Sequence, residues 1–222
     1  MKDYGTFDIL GPIMIGPSSS HTAGAARLAK IAKGIAGDGF YEVEFLLHGS
    51  FAKTYKGHGT DKALIAGVLD MEPSDENIRD SFNIARSKNL NIVFKEEDLG
   101  YEHPNTVKIV FKYPNKEDFY VTGSSIGGGN IVITDINGNK VEFTGDKPTI
   151  LMKYADRKGV ISEVSSILSN NSLNIATMNV TREKNIATLV CELDSEITQA
   201  TIDNMNNLMD ISYLKFINPI KR

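Results

Sequence analysis

The sequence contains a single cysteine among its 222 residues and no tryptophan. One thiol, Cys191, forms no disulfide within the chain and is too few for a metal cluster held by several thiolates. The net charge of -4 and the pI near 5.6 argue against a nucleic-acid partner, because a phosphate backbone requires clustered basic residues. An apolar signal core and an apolar run of membrane-spanning length are also missing. We therefore expect a soluble, cytoplasmic protein that binds neither nucleic acid nor a membrane.

The sequence instead has alternating helix and strand patterns, which predict an α+β fold. Apolar residues at helical spacing predict a helix from Thr22 to Ala36, which Gly37 ends. A second helix from Lys62 to Leu69 follows His58, with Thr60 as its N-cap. The other elements predicted in this region are a strand at Val43 to His48, a helix opened by Pro73-Ser74-Asp75, strands at 91–95, 106–113 and 119–123, and a hairpin turning at Asn137-Gly138.

A triple glycine, Gly127 to Gly129, comes directly after a predicted strand. A dinucleotide-binding loop requires a helix after its glycines, whereas here a second strand, Ile131 to Ile136, follows. The glycines therefore indicate a bulge or tight bend, which also exposes backbone N–H groups to a ligand.

Turn residues at Gly145-Asp146-Lys147-Pro148 predict a domain boundary, which gives domains of residues 1–146 and 147–222. The elements predicted after this boundary follow the order βαββαβ, which is the ferredoxin-like arrangement.

The motif Gly16-Pro17-Ser18-Ser19-Ser20-His21-Thr22-Ala23-Gly24-Ala25 places hydroxyls and an imidazole at the predicted start of the first helix. Unpaired backbone N–H groups and a partial positive charge at a helix start favour a bound carboxylate, and the histidine adds a titratable group. The simpler alternative is that Ser20 or Thr22 caps an ordinary helix and His21 lies on its surface.

These motifs resemble those of two known families. The last segment resembles an ACT domain, an amino-acid-sensing module, through Asp156-Arg157-Lys158-Gly159-Val160-Ile161 and the element order. The preceding region resembles the β subunit of iron-sulfur-dependent L-serine dehydratases. That resemblance depends on the Ser/His motif together with His48-Gly49-Ser50-Phe51-Ala52-Lys53-Thr54, Gly57-His58-Gly59-Thr60-Asp61, His103-Pro104-Asn105-Thr106 and Ser125-Ile126-Gly127-Gly128-Gly129.

The resemblance implies an L-serine ammonia-lyase that makes pyruvate and ammonia, active only with an α subunit that carries a [4Fe-4S] cluster. It further implies that L-serine is the substrate and can also bind as an effector, and that the ACT domain pairs with a second copy. The implied roles are acid/base catalysis by His21, with His58 as second choice, and binding of the substrate carboxylate by Ser18, Ser19, Ser20 and Thr22. The effector-binding candidates are His103, Asn105, Gly127, Gly128, Gly129, Asn130, Asp156, Gly159 and Val160. The alternative function is a non-catalytic amino-acid sensor.

Overall fold

The computed structural model describes residues 13–219. The chain divides into two compact units, which separate between Gly138 and Asn139. Sequence patterns put the domain boundary after Asp146, and that boundary stays a prediction. No helix in the described range is long and apolar enough to cross a membrane.

The first unit mixes helices and strands, as its sequence patterns predicted. Its elements are a π-helical turn at Ser19–Ala23, α1 (Gly24–Ala36), β1 (Glu42–Leu47), α2 (Gly49–His58), α3 (Thr60–Val68), a 3-10 turn at Glu76–Asp80, α4 (Ser81–Ser87), β2 (Asn91–Glu96), β3 (Thr106–Lys112), β4 (Phe119–Gly127) and β5 (Asn130–Ile136).

The second unit has the predicted ferredoxin-like order, preceded by one further strand. Its elements are β6 (Asn139–Phe143), β7 (Thr149–Ala155), α5 (Val160–Asn170), β8 (Ile175–Glu183), β9 (Ile186–Leu193), α6 (Gln199–Asn206) and β10 (Ile211–Ile217).

Two sheets organise these strands. The strands of the first unit have the order β2-β1-β3-β4-β5, in which β1 pairs parallel with β2 and antiparallel with β3. Helix α1 packs against β4 and against α3, and its apolar side chains are buried. The helix that carries the Ser/His motif at its start is thereby fixed against the sheet.

Helix α2 is a correction to the sequence-based prediction, which placed no helix between β1 and His58. Its residues are mostly polar, and Phe51 is the one residue of this helix that is fully buried. The sequence of α2 therefore lacks the apolar periodicity that predicts a helix. His58 therefore ends α2, and as predicted it also lies just before a helix, because α3 begins at Thr60. The residue that precedes α3 is Gly59, in left-handed backbone conformation, so the predicted N-cap at Thr60 is also wrong.

The second sheet has the order β10-β7-β9-β8, and helices α5 and α6 contribute to the core on one of its faces. Alternate residues of β9, including Leu189 and Cys191, point into this core. Thr188 and Val190 lie on the opposite face and are buried as well, where β6 contacts β9. Burial raises the pKa of the Cys191 thiol to about 11.

Candidate functional site

The candidate site begins at the π-helical turn, Ser19–Ala23, which leads directly into α1. Ser18 caps this turn, because its hydroxyl accepts a hydrogen bond from the backbone N–H of His21 at 3.3 Å. The N–H of Thr22 donates to the Ser18 carbonyl at 2.8 Å, and the N–H of Gly24 donates to the carbonyl of the first residue of the turn. The second bond spans five residues, a winding that is frequent at functional sites. The sequence predicted an α-helical first turn, so the wider winding is a correction.

The side chain of His21 is held from two directions. Its Nδ1 lies 3.1 Å from the Oγ of Ser20 and 3.4 Å from the Oγ of Ser18. Its Nε2 lies 3.1 Å from the Oγ of Ser50, and the ring packs edge-on against Phe51 with centroids 5.3 Å apart. Because a hydroxyl both donates and accepts, either neutral tautomer of the imidazole is satisfied. His21 is only 9% exposed, so the alternative of a surface histidine is wrong.

Ser50 reaches His21 because α2 begins tightly against the loop before β3. The φ angle of Gly49 is 58°, and a Cβ at this position would lie 2.6 Å from the carbonyl oxygen of Pro104. Glycine alone accommodates both conditions. The backbone N–H of Ser50 donates to the same carbonyl at 2.7 Å, which fixes the first turn of α2 beside the imidazole.

His58 is the second histidine of the site. Its ring centroid lies 4.7 Å from that of His21, and its backbone carbonyl accepts a hydrogen bond from the Thr22 hydroxyl at 3.4 Å. Burial lowers the pKa of His21 below its ordinary value of 6.5, and the charge of His58 lowers it further. The neutral imidazole, which is the form that accepts a proton, is therefore favoured at neutral pH.

A pocket of about 340 Å³ opens beside these histidines. Thr22 and His58 line it, together with three basic side chains, Lys56, Lys62 and Arg79. None of the residues that line it is acidic. The pocket thus lies between the end of α2, the start of α3 and the 3-10 turn.

The four predicted carboxylate ligands divide into three groups. The hydroxyls of Ser18 and Ser20 contact Nδ1 of His21, so they orient the imidazole. Thr22 is the one of the four that lines the pocket. Ser19 is partly exposed, and its side chain makes no hydrogen bond within residues 13–219.

Gly24, next in the motif, allows α1 to approach β4 closely. A Cβ on this residue would lie 2.0 Å from the hydroxyl oxygen of Ser125. Ser125 is fully buried, and its hydroxyl has no hydrogen-bond partner in the described part of the chain. The N–H of Ser125 donates to the carbonyl of Asn105 at 3.0 Å, so the loop before β3 is tied to this strand.

The predicted effector residues of the first unit fall in two neighbouring loops. His103 is exposed, and its Nδ1 accepts the backbone N–H of Asn105 at 3.1 Å. Gly127 and Asn130 are paired across the turn between β4 and β5, where the strand register shifts as a bulge requires. The carbonyl of Gly129 accepts a hydrogen bond from the guanidinium of Arg27 at 2.7 Å. Gly128, also at positive φ, completes this turn. The predicted bend is confirmed, and ligand binding by these residues stays a prediction.

The predicted effector residues of the second unit lie around the start of α5. The carboxylate of Asp156 accepts a hydrogen bond from Arg182 at 3.2 Å. Gly159 precedes the helix with a φ of 97°, and the side chain of Val160 lies in the core. A role for Val160 in effector binding would therefore fall to its backbone. The first turn of α5 also carries Glu163, whose carboxylate oxygens are each 2.7 Å from the Arg157 guanidinium.

The residues of this chain do not fit an iron-sulfur cluster. Among residues 13–219, no three His, Cys, Asp or Glu side chains are grouped so that they could hold a metal ion. Cys191, the single cysteine of the sequence, is fully buried in the core of the second unit.

Sequence reasoning assigned no role to Ser50, Lys56, Lys62 or Arg79. Ser50 lies 29 positions from His21 in the chain, and neither helix pattern nor spacing relates the two. The signal that was available was the motif His48-Gly49-Ser50-Phe51, in which a glycine next to a serine marks a tight helix start. No local signal distinguished the three basic residues from other surface cations.

Comparison with known proteins agrees with this organisation. The family model described as serine dehydratase beta chain matches residues 5–84, and the model described as ACT domain matches residues 149–208. The L-serine dehydratase beta chain of Peptoniphilus asaccharolyticus is 51% identical over 203 residues, covering 90% of this chain and 91% of that protein. The first region thus places the molecule in the class of serine dehydratases.

Two further relatives define the chain more closely. The probable L-serine dehydratase beta chain of Bacillus subtilis is 42% identical, with 95% of this chain and 96% of that protein covered. The L-serine dehydratase of Streptomyces coelicolor is 29% identical over 80% of this chain, which corresponds to 43% of that longer protein. The chain belongs to the family of L-serine dehydratase β chains, with a C-terminal ACT domain.

Proposed function

We propose that this chain is the β subunit of a two-chain L-serine ammonia-lyase, which converts L-serine to pyruvate and ammonia with a [4Fe-4S] cluster held by the α subunit. The observation that carries the proposal is the buried imidazole of His21, hydrogen-bonded at both nitrogens and with a lowered pKa, in a chain of this family. The designation of its relatives as beta chains supports an α partner. The single buried thiol of Cys191 agrees with cluster ligands on another chain.

In this proposal, His21 takes the weakly acidic Cα proton of L-serine. The imidazole is neutral at neutral pH, and the hydroxyls of Ser20 and Ser50 accept hydrogen bonds from the imidazolium that forms. Ser19 and Thr22 donate to the substrate carboxylate, while Ser18 helps to orient the ring. The hydroxyl group then leaves as water with the proton that His21 took, which restores the neutral imidazole, and the released aminoacrylate tautomerises and hydrolyses to pyruvate and ammonia. His58 is the second candidate for the base.

We also propose that the chain works in the cytoplasm in amino-acid catabolism, and that L-serine regulates it as an effector. The effector would bind at the loops around Asn105 and Gly127–Asn130 or at the start of α5. Pairing of two ACT domains would couple effector binding to activity. Strands β8 and β10 are the edges of the second sheet, where such pairing can occur.

The test is to produce this chain together with a cysteine-rich α chain and to assay pyruvate formation from L-serine without oxygen. We expect activity from the pair, and a colourless, inactive preparation of this chain alone. His21→Ala should lower kcat by at least about 10²-fold, the usual contribution of a general acid/base. A pair that binds L-serine without forming pyruvate would favour the amino-acid sensor instead.

The matched control for that variant is His48→Gln. His48 accepts a hydrogen bond from the backbone N–H of Leu99 at 3.1 Å and does not touch His21. A glutamine carbonyl can accept the same bond, so kcat should be retained. Equal losses in both variants would show that the effect of His21→Ala is structural.

A further inference from the structure

We propose that the pocket beside His58 is a binding site for a small oxyanion, recognised by the positive charges of Lys56, Lys62 and Arg79. The inference deepens the proposed function, on which the identity of its natural ligand depends. The ligand class is a carboxylate or phosphate-like group, whose source is either the carboxylate of the amino-acid substrate or a free inorganic anion.

The pocket carries an excess of positive charge. Lys56, Lys62 and Arg79 line it, and none of them has a carboxylate within the 4.0 Å of an ion pair in residues 13–219. Lys30 and Lys33 on α1, by contrast, are paired with acidic side chains at 2.5 and 2.6 Å. Like charges gathered around one concavity repel one another, and a bound anion relieves that repulsion.

Asp61 directly precedes Lys62 in the chain. It lies in the first turn of α3, and its carboxylate accepts a hydrogen bond from the backbone N–H of Lys62 at 2.8 Å. Asp61 does not line the pocket, and burial raises the pKa of its carboxyl group. The charges of Lys62 and Lys56 act in the opposite direction on that pKa, so Asp61 offsets part of their positive charge from outside the lining. None of the described residues in the lining itself is acidic.

The size and position of the pocket also fit a small anionic ligand. A volume of about 340 Å³ lies at the lower end of small-molecule pockets and therefore suits a small ligand. The planar guanidinium of Arg79 suits two oxygens of one anion, and the lysines supply point charges. Because Thr22 and His58 line the same pocket, a carboxylate bound there would leave the rest of a small amino acid beside the imidazole of His58, whose ring contacts that of His21.

The experiment is calorimetric titration of the full chain, without an α subunit, in a low-salt buffer that contains no other oxyanion. The probe is inorganic phosphate, followed by L-serine as competitor. We expect the wild-type chain to bind phosphate, and Lys62→Met and Arg79→Met to bind it at least about tenfold more weakly, which corresponds to about 1.4 kcal/mol. Lys62→Arg should retain binding because the charge is kept. The matched control is Lys53→Met, an exposed lysine on α2 that does not line the pocket.

The outcomes distinguish the two sources of the anion, and they test this inference separately from the lyase proposal. Displacement of phosphate by L-serine assigns the site to the amino-acid carboxylate, and phosphate binding that L-serine does not displace assigns it to an inorganic anion. Absence of phosphate binding, or equal affinity in Lys62→Met and Lys53→Met, overturns the inference. The titration needs no catalysis, so its failure leaves the lyase proposal standing, and failure of the lyase assay leaves the phosphate result standing.

Discussion

Two glycines on helix α1 should respond in opposite directions to the same substitution. Gly24 and Gly34 both lie in the helix, where alanine is intrinsically favoured over glycine by about 1 kcal/mol. A Cβ on Gly34 meets nothing within 4 Å, whereas a Cβ on Gly24 would lie 2.0 Å from the Oγ and 2.8 Å from the Cβ of Ser125. Only the substitution at Gly24 therefore requires α1 to move away from the sheet.

The magnitudes follow from those contacts. Gly34→Ala should raise the free energy of unfolding by about 0.5 to 1 kcal/mol. Gly24→Ala forces an overpacked contact that costs about 1 to 3 kcal/mol, and the helical preference of alanine offsets about 1 kcal/mol of it. The two variants should therefore differ by about 2 kcal/mol, with Gly24→Ala the less stable.

The assay is urea unfolding followed by circular dichroism, with comparison of midpoints at equal m values. Ser125→Gly tests the cause, because removal of this side chain should abolish most of the penalty of Gly24→Ala in a double-mutant cycle. A Gly24→Ala variant as stable as Gly34→Ala would refute the close packing of α1 on β4. An unchanged penalty in the Ser125→Gly background would refute Ser125 as its source.

Three further predictions concern pH, substrate binding and regulation. The folded-state pKa of His21 is lowered below 6.5, so the unfolded chain binds more protons between the two values. Stability should therefore fall between pH 7 and pH 5, and urea midpoints at both values should show a smaller fall in His21→Gln; equal falls would contradict this. Ser19→Ala should raise the KM of the two-chain enzyme, so that kcat/KM falls by a factor equivalent to roughly 1 to 3 kcal/mol. A change confined to kcat would contradict a role of Ser19 in binding the carboxylate. Deletion of the residues after Lys147 should leave activity but change its dependence on L-serine, and an identical saturation curve would show that the second unit has no regulatory role.

Much of the fold was predictable because its elements carry a strong apolar pattern. Helix α1 buries residues such as Leu28 and Ile35 at helical spacing, and β9 alternates core residues such as Leu189 with residues of the opposite face. These patterns predicted the succession of helices and strands along the chain and the ferredoxin-like order of the second unit. Helix α2 could not be found in this way because its single fully buried side chain, Phe51, has no helical partner to form a periodicity.

The candidate site was predictable only in its local part. The motif identified His21 and its serines because they are adjacent in sequence. The contact between His21 and Ser50 depends on how α2 packs, and that packing depends on a glycine at positive φ against the Pro104 carbonyl. The π-helical turn is set by one hydrogen bond displaced by a single residue, which composition does not encode. The pocket is a tertiary feature, assembled from α2, α3 and the 3-10 turn.

The buried thiol of Cys191 makes the chain suitable for site-specific labelling. A thiol with a pKa of about 11 and no exposed surface is almost entirely protonated at pH 7 and reacts slowly with maleimides or iodoacetamide. A cysteine introduced on the surface, for example in place of Lys53, would then be the reactive thiol of the chain while the native sequence of the core is kept. A fluorophore attached there would report on association with another subunit. Because the sequence lacks tryptophan, no indole emission from this chain would overlap with the signal of the label.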